Sequence, residues 1–261
     1  GNPQVVYPLL QQNLDKLDCK IIHFLRLLLS HKLLDVEDDE AFDIAADVGN
    51  FATLINTFPL GSRAENLEIG IACYEIISTI LNYQKFPQDW ATLQNNLGTA
   101  YVDRIRGDRA ENIEQAISYY QSALKVFKPK TFPEDWAMIQ NNLGNAYSYR
   151  IRGERADNLE QAIDFYKSTL KVYVRELFPY KWATTYNNLG FAYNLRIRGE
   201  RAENIEQAIS FYKLALDVTN RNAYLQDWAG TQNNLGIAYL NRILGKRADN
   251  IEVAISTIKT S

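Results

Sequence analysis

The chain has 261 residues, of which 46% are hydrophobic and 23% charged, and its formal net charge is −3. This composition excludes a disordered or collagen-like chain, and the slight acidity argues against a general nucleic-acid binder, which carries a strong basic excess. The longest apolar runs are too short to span a bilayer and no secretory signal opens the chain, so we expect a cytoplasmic protein with no membrane partner.

Residues 1–43 lack the repeat that follows and are predicted to form N-terminal capping helices. They hold both histidines, His23 and His31, and place Cys19 one helical turn before His23. A thiol and a base at this spacing can act in nucleophilic catalysis, but nothing in the sequence supplies an oxyanion hole. Since no phosphate-binding glycine loop or metal-ligand cluster occurs either, we predict no enzyme, no cofactor and no catalytic or metal site. Cys19 and Cys73 are predicted to be buried thiols rather than a disulfide.

From residue 44 onward the sequence repeats with a period of 46 residues. The tryptophans mark this step, at Trp90, Trp136, Trp182 and Trp228. A fixed period in this range is typical of a solenoid, in which each unit buries its apolar face against its neighbours. GSRAENLE (61–68) matches GDRAENIE (107–114), which indicates a degenerate first repeat. The predicted solenoid, 44–261, therefore divides into repeats at 44–89, 90–135, 136–181 and 182–227, with a truncated last repeat at 228–261.

Each repeat is predicted to contain two helices. The first begins at the proline of segments such as FPQDW (86–90), because proline suits the first helical turn. The second is predicted to begin at NIEQ, with Asn112 as the N-cap and Gln115 reaching back in a capping box. Small residues at Gly98 and Ala116 would let the paired helices approach closely. The pattern predicts a helix–turn–helix unit.

The segments LGTAY (97–101), LGNAY (143–147), LGFAY (189–193) and LGIAY (235–239) resemble the tetratricopeptide repeat, as does the small–aromatic–small pattern of Ala116, Tyr120 and Ala123. The resemblance implies an all-α, right-handed superhelical solenoid of helix–turn–helix repeats that binds a protein or peptide. The longer turn and first helix resemble arrays common in cyanobacterial proteins. Such arrays are often attached to caspase-like CHAT protease domains or signalling NTPases.

An asparagine pair in the sequence NNLG lies in the middle of each complete first helix, although asparagine is a poor helix former. The resemblance places this position on a concave groove, and implies peptide binding by the second asparagine of each pair. A carboxamide can both donate to and accept from a peptide backbone. The predicted peptide-binding residues are Asn96, Asn142, Asn188 and Asn234, with Asn95, Asn141, Asn187 and Asn233 as second candidates. The alternative is that the asparagines tie adjacent first helices together, and both roles can hold within one pair.

Further groove positions are expected at Asn145, Tyr149, Phe191 and Leu195. The groove positions carry almost no basic charge, so the sequence excludes the carboxylate clamp by which chaperone adaptors hold a C-terminal carboxylate. Apolar side chains become more frequent toward the C-terminal half, which favours a partner that offers hydrophobic anchors there.

A second recurring feature is the arginine-rich turn, where Arg104, Arg106 and Arg109 could hold phosphates. Acidic residues recur beside them, however, and the degenerate repeat has Phe58 in place of Arg104 but keeps both Arg63 and Glu68. We therefore predict that the arginine and glutamate of RAENIE brace the turn onto the second helix, and that nucleic acid is not the partner.

The sequence stops at the position matching Ala215, inside a predicted second helix, and we expect a domain of a longer protein. The predicted function is a peptide-binding scaffold. Two alternatives stay open, a purely architectural self-association module and a regulatory arm of a larger protein with an effector domain attached after residue 261.

Overall fold

The computed structural model describes residues 2–32, 37–221 and 223–260, and within these ranges every regular element is helical. The chain divides into two compact units, residues 1–128 and residues 129–261. The first unit holds α1 (Pro3–Gln12), a 3₁₀ turn (Leu14–Lys16), α2 (Lys20–Lys32), α3 (Asp38–Thr57), α4 (Arg63–Ile77), α5 (Pro87–Asp103) and α6 (Arg109–Ala123). The second holds α7 (Pro133–Tyr149), α8 (Arg155–Thr169), α9 (Pro179–Leu195), α10 (Arg201–Leu216), α11 (Leu225–Asn241) and α12 (Arg247–Thr260). The predicted all-α class is confirmed.

Consecutive helices pack as pairs, α3 with α4 and so on to α11 with α12. A glycine sets the distance within a pair, since a Cβ atom added at Gly98 would lie 2.5 Å from a ring carbon of the buried Tyr120. A Cβ atom added at Gly144 would likewise lie 2.5 Å from a ring carbon of Tyr166. The expectation that small residues allow close approach is therefore confirmed. In the first unit, α1 and α2 pack against the α3–α4 pair, and the boundary predicted at residue 43 falls inside α3.

The second helix of each pair begins four residues earlier than predicted. Asp108, not Asn112, is the N-cap of α6, and its carboxylate accepts a hydrogen bond from the backbone N–H of Glu111 at 2.8 Å. Asn112 is instead buried, and its Nδ2 donates to the carbonyl oxygen of Arg106 at 2.8 Å. The capping-box prediction was wrong because an acidic residue one turn upstream can cap equally well. The asparagine holds the turn, in which Gly107 has a φ of 82° that favours glycine.

The arginine–glutamate pairs join consecutive repeats. This corrects the predicted pairing within RAENIE, because the glutamate of such a segment bonds the arginine that matches Arg104 in the following repeat, whereas Arg155, the arginine of the segment that contains Glu160, donates to the carbonyl oxygen of Ser148. Arg196 donates from Nε and Nη2 to the two carboxylate oxygens of Glu160, in the preceding repeat, at 2.8 and 2.9 Å. Arg242 and Glu206 form the same fork at 2.7 and 3.2 Å, and both Arg104–Glu68 distances are 2.8 Å. Hydrogen bonds from Arg196 lower the pKa of Glu160 below its ordinary value. Each fork therefore fixes one repeat onto the next.

The fork also explains why the degenerate repeat has Phe58 where later repeats have this arginine. The partner glutamate lies 36 residues earlier in each pair, and the residue at that distance from Phe58 is Ile22. No carboxylate is therefore available at that position. Phe58 is buried instead, with its ring centroid 5.2 Å from that of Tyr7 in α1.

Within the second unit, consecutive pairs share an apolar core. Ala162, Ile163 and Tyr166 of α8 are buried against Leu189 and Ala192 of α9. The alanine and leucine come from the LGxAY segment of the following repeat, so this segment packs across the repeat boundary. Within the described part of the chain, no helix combines the length and the apolar character that crossing a membrane requires.

Candidate functional site

The asparagine pair lies on one face of each complete first helix, and we call this face of each helix its ladder face. On these faces Asn188 Nδ2 donates to Asn141 Oδ1 at 3.3 Å, and Asn234 Nδ2 donates to Asn187 Oδ1 at 3.1 Å. The second asparagine of one repeat thus bonds the first asparagine of the preceding repeat. Helices α7, α9 and α11 are linked by these amides, which compensates for the low helix propensity of asparagine.

A cavity of about 140 Å³ opens between α7 and α9 on their ladder faces. The rings of Tyr149 and Phe191 line it with centroids 5.9 Å apart at an interplanar angle of 42°. We call it the aromatic cavity, and its lining consists of Asn145, Ser148, Tyr149, Tyr166, Asn187, Asn188, Phe191 and Asn234. All these side chains are uncharged at neutral pH, so the cavity offers rings and amide or hydroxyl groups.

A second cavity of about 140 Å³ lies between α9 and α11 and shares the bonded pair Asn187 and Asn234 with the aromatic cavity. Its lining includes Thr184 and Asp227, and the Asp227 carboxylate accepts a hydrogen bond from the Tyr180 hydroxyl at 2.8 Å. Burial and this hydrogen bond raise the pKa of Tyr180. The amide pair therefore forms a wall common to two adjacent cavities.

In the first unit Asn96 also lines two cavities, but both lie between α3 and α5. One has a volume of about 230 Å³, with Asp89 in its lining, and the other has a volume of about 150 Å³. In the smaller one, Thr57 and Thr99 occupy the positions that Tyr149 and Phe191 have two repeats later. An asparagine that lines two cavities therefore recurs, whereas the side chains that line them differ.

The buried tyrosine of each second helix reaches a side chain on the ladder face. Its hydroxyl bonds a threonine in the first two repeats, Tyr74 to Thr53 at 2.9 Å and Tyr120 to Thr99 at 3.2 Å. In the third repeat Tyr166 donates to Asn145 Oδ1 at 2.7 Å.

Tyr212 departs from this pattern. Its ring is 0% exposed, and its hydroxyl is a buried polar atom that has no hydrogen-bond partner within the described residues. Phe191 stands where the other repeats have threonine or asparagine, and a phenyl ring can neither donate to nor accept from the hydroxyl in a conventional hydrogen bond. The unsatisfied hydroxyl could not be predicted from the sequence, because positions 191 and 212 are 21 residues apart and only the structure shows that they lie together.

The structure brings six predicted site residues into the aromatic cavity, Asn145, Tyr149, Asn187, Asn188, Phe191 and Asn234. Asn96 lines both cavities of the first unit. Of the other predicted residues, Asn141 accepts from Asn188, Asn142 is half-buried, Asn95 is buried, and Asn233 and Leu195 are exposed. Sequence reasoning missed Tyr166, because it assigned the second-helix aromatics to the core, and it also missed Ser148, a residue of the first helix α7.

The N-terminal thiol is hydrogen-bonded to an acidic and a basic side chain. Cys19 Sγ donates to Glu65 at 2.6 Å and accepts from Arg106 at 2.7 Å, while His23 is exposed. Cys19 is half-buried rather than buried, and both cysteines are free. Burial raises the pKa of Cys19, and raises that of Cys73 to about 12. In the described ranges, no group of three or more metal-ligating side chains lies together.

The comparisons with known proteins support the array of helix pairs seen in the structure. The tetratricopeptide repeat model matches residues 90–129, 136–172 and 182–219, which supports an array of tetratricopeptide repeats. No curated protein matches the sequence. The crystal structure of BtubC (BKLC) from P. vanneervenii is similar in fold, with a TM-score of 0.54 and 17% identity over 87% of this chain and 90% of that chain. The chain is therefore an all-α solenoid, and repeats of this class mediate protein–protein interactions.

Proposed function

We propose that the protein is a scaffold whose ladder faces hold an extended segment of a partner protein. The observation that supports this most is the recurrence of two cavities beside one asparagine, at Asn96 in the first unit and at Asn234 in the second. A carboxamide between two side-chain pockets is suited to a backbone whose side chains enter both pockets.

The lateral hydrogen bonds leave part of each amide for a ligand. Asn188 uses one N–H toward Asn141, and among the described residues its Oδ1 and second N–H have no other partner. The lateral bond also holds the side chain in place before the ligand arrives, which reduces the entropy lost on binding. The structural and the ligand-binding roles of the asparagines are therefore compatible.

The charge of the site limits the kind of partner segment that it can bind. No lysine or arginine lines the two cavities of the second unit. In the first unit Arg63 lines the smaller cavity, but it is paired with Asp103 at 3.2 Å. An acidic segment or a C-terminal carboxylate would find no free guanidinium or ammonium group in these linings, so we propose a neutral or basic segment.

The test uses the full chain and a library of random 12-residue peptides displayed on phage. Peptides selected on the wild type are synthesised, and their Kd is measured for Asn188→Ala and Asn141→Ala. Each variant breaks the same lateral hydrogen bond, but only Asn188→Ala removes a group that lines the aromatic cavity. We expect Kd to rise about tenfold or more for Asn188→Ala, since two backbone hydrogen bonds of about 0.5–1.5 kcal/mol each are lost.

The matched variant separates binding from stability. Asn141→Ala should lower the melting temperature about as much as Asn188→Ala while it retains most of the affinity. Equal losses of affinity in both variants, or no loss in either, would contradict the proposal.

A second role is favoured by α12. Three isoleucines of α12 are partly exposed, Ile251 at 37%, Ile255 at 47% and Ile258 at 37%. The matching residues of α10 are covered by α11 and are only 0–4% exposed, namely Ile205, Ile209 and Tyr212. The exposed face of α12 could contact a second copy or an attached effector domain of the protease or NTPase kind. Sedimentation of the wild type and of Ile255→Glu would show self-association that the variant abolishes, and a monomeric wild type would rule out the second copy.

A further inference from the structure

We infer that the aromatic cavity receives one aromatic side chain of the bound segment, and that Phe191 is the residue that selects it. This inference rests on the proposed function and adds a requirement on the sequence of the partner. It assigns to the second unit a specificity that the matching cavity of the first unit lacks.

The size and the lining of the cavity fit a ring. Its volume of about 140 Å³ is close to that of apolar cavities of about 150 Å³ that admit a benzene molecule. Tyr149 and Phe191 meet at a tilted angle, so an entering ring can pack edge-to-face or offset against either one. Tyr149 is 51% exposed, and a ligand ring would cover part of its apolar surface.

The unsatisfied hydroxyl of Tyr212 is an independent observation. Repeats one to three satisfy this buried hydroxyl from Thr53, Thr99 or Asn145, and the fourth tyrosine loses its partner because Phe191 occupies the position. Buried polar groups are almost always bonded in native proteins, and local rules are broken mainly at functional sites. Phe191 thus stabilises the fold less than a threonine would, and lines a cavity instead.

The smaller cavity of the first unit provides an internal comparison for the aromatic cavity. Two repeats earlier, threonines at positions 57 and 99 replace Tyr149 and Phe191 in a cavity of about 150 Å³. The two cavities have nearly equal volumes and are lined at matching repeat positions, while the rings are absent from that pair of positions. A preference for aromatic ligands should therefore depend on the second unit.

The experiment repeats the selection of random 12-residue peptides on the wild-type chain of 261 residues, on Phe191→Thr and on Thr99→Ala. We expect an aromatic residue at one fixed position in peptides selected on the wild type and on Thr99→Ala. Replacing it by alanine in a synthetic peptide should raise Kd at least tenfold for both proteins and less than threefold for Phe191→Thr. Because threonine gives Tyr212 a partner, Phe191→Thr should melt no earlier than the wild type, so lost selectivity cannot be attributed to unfolding.

Two results would overturn the inference in distinguishable ways. If the selected peptides need Asn188 but show no aromatic position, or keep it with Phe191→Thr, the aromatic anchor is wrong and the scaffold function stands. If no selected peptide depends on Asn188, the proposed function fails and the anchor fails with it.

Discussion

The smaller cavity of the first unit and the aromatic cavity of the second are built on the same frame. Each lies between two first helices, includes the buried tyrosine of a second helix, and has a second-position asparagine in its wall. The two cavities differ in having Thr99 in one and Phe191 in the other. Among the buried tyrosines of the described second helices, the hydroxyl without a hydrogen-bond partner is that of Tyr212, in the same repeat as Phe191. The repeat therefore fixes where a cavity lies, and a few variable positions determine what the cavity can bind.

The largest effect is expected from a substitution that disrupts the close packing within a helix pair. Gly144→Ala places a Cβ atom 2.5 Å from the ring of Tyr166, which is buried and cannot move away freely. We expect the free energy of unfolding to fall by about 1–3 kcal/mol in urea denaturation. Gly230→Ala is the control, because nothing lies within 4 Å of the added atom, and it should be neutral or stabilising by about 0.5–1 kcal/mol. Equal losses in both variants would contradict the close-approach argument.

The next effect concerns the links between repeats. Glu160→Gln removes the charge from the fork that holds Arg196, and should lower the free energy of unfolding by about 1 kcal/mol. Glu252→Gln changes the same position of the last repeat, where the glutamate is exposed, and should stay within about 0.5 kcal/mol of the wild type. A similar loss at both positions would mean that the fork adds nothing to stability.

The same fork makes a pH-dependent prediction. Arg196 lowers the pKa of Glu160 in the folded state, so its contribution is fully present above the unfolded pKa of about 4.3 and is lost as the pH falls through the lower folded value. The stability difference between the wild type and Glu160→Gln should therefore be constant from about pH 5 to 7 and shrink below about pH 4. Urea titrations across this range measure it, and a difference that grows on acidification would contradict the pairing.

The smallest effect bears on the cavities directly. Phe191→Thr should raise the free energy of unfolding by about 0.5 kcal/mol, because a hydrogen bond to Tyr212 outweighs the loss of a half-buried ring contact. Phe191→Leu removes the ring without supplying a hydrogen-bonding group, and should show no gain in thermal or urea unfolding. A gain from leucine as large as that from threonine would mean that strain at the ring, not the hydroxyl, limits stability.

How far the sequence could predict these features depends on their distance along the chain. The helix pairs and the asparagine ladder follow from residues within one period, because the helical spacing of Trp90, Leu97 and Tyr101 sets one face of a helix. The arginine–glutamate fork could not be assigned, since a strict 46-residue period places a glutamate both 36 residues before and 10 residues after each such arginine. Only the packing of one repeat on the next decides between them.

The start of the second helix was missed for a local reason. Asp108 and Asn112 both suit an N-cap, and the choice depends on whether the asparagine side chain is needed elsewhere. In the structure it is needed, to hold the turn carbonyl of Arg106. The unsatisfied hydroxyl of Tyr212 could likewise not be predicted from the sequence, because it results from a three-dimensional contact with position 191.

The measurement that tests the account most directly is the response of the asparagine side-chain amides to a selected 12-residue peptide. In NMR spectra of the ¹⁵N-labelled full chain, assigned by single Asn→Asp variants, the Nδ2 resonances of Asn188 and Asn234 should shift on titration. That of Asn233, which is exposed and lines neither cavity of the second unit, should stay in place. Shifts confined to Asn233 or to residues of α12 would contradict the account and move the binding surface away from the ladder faces.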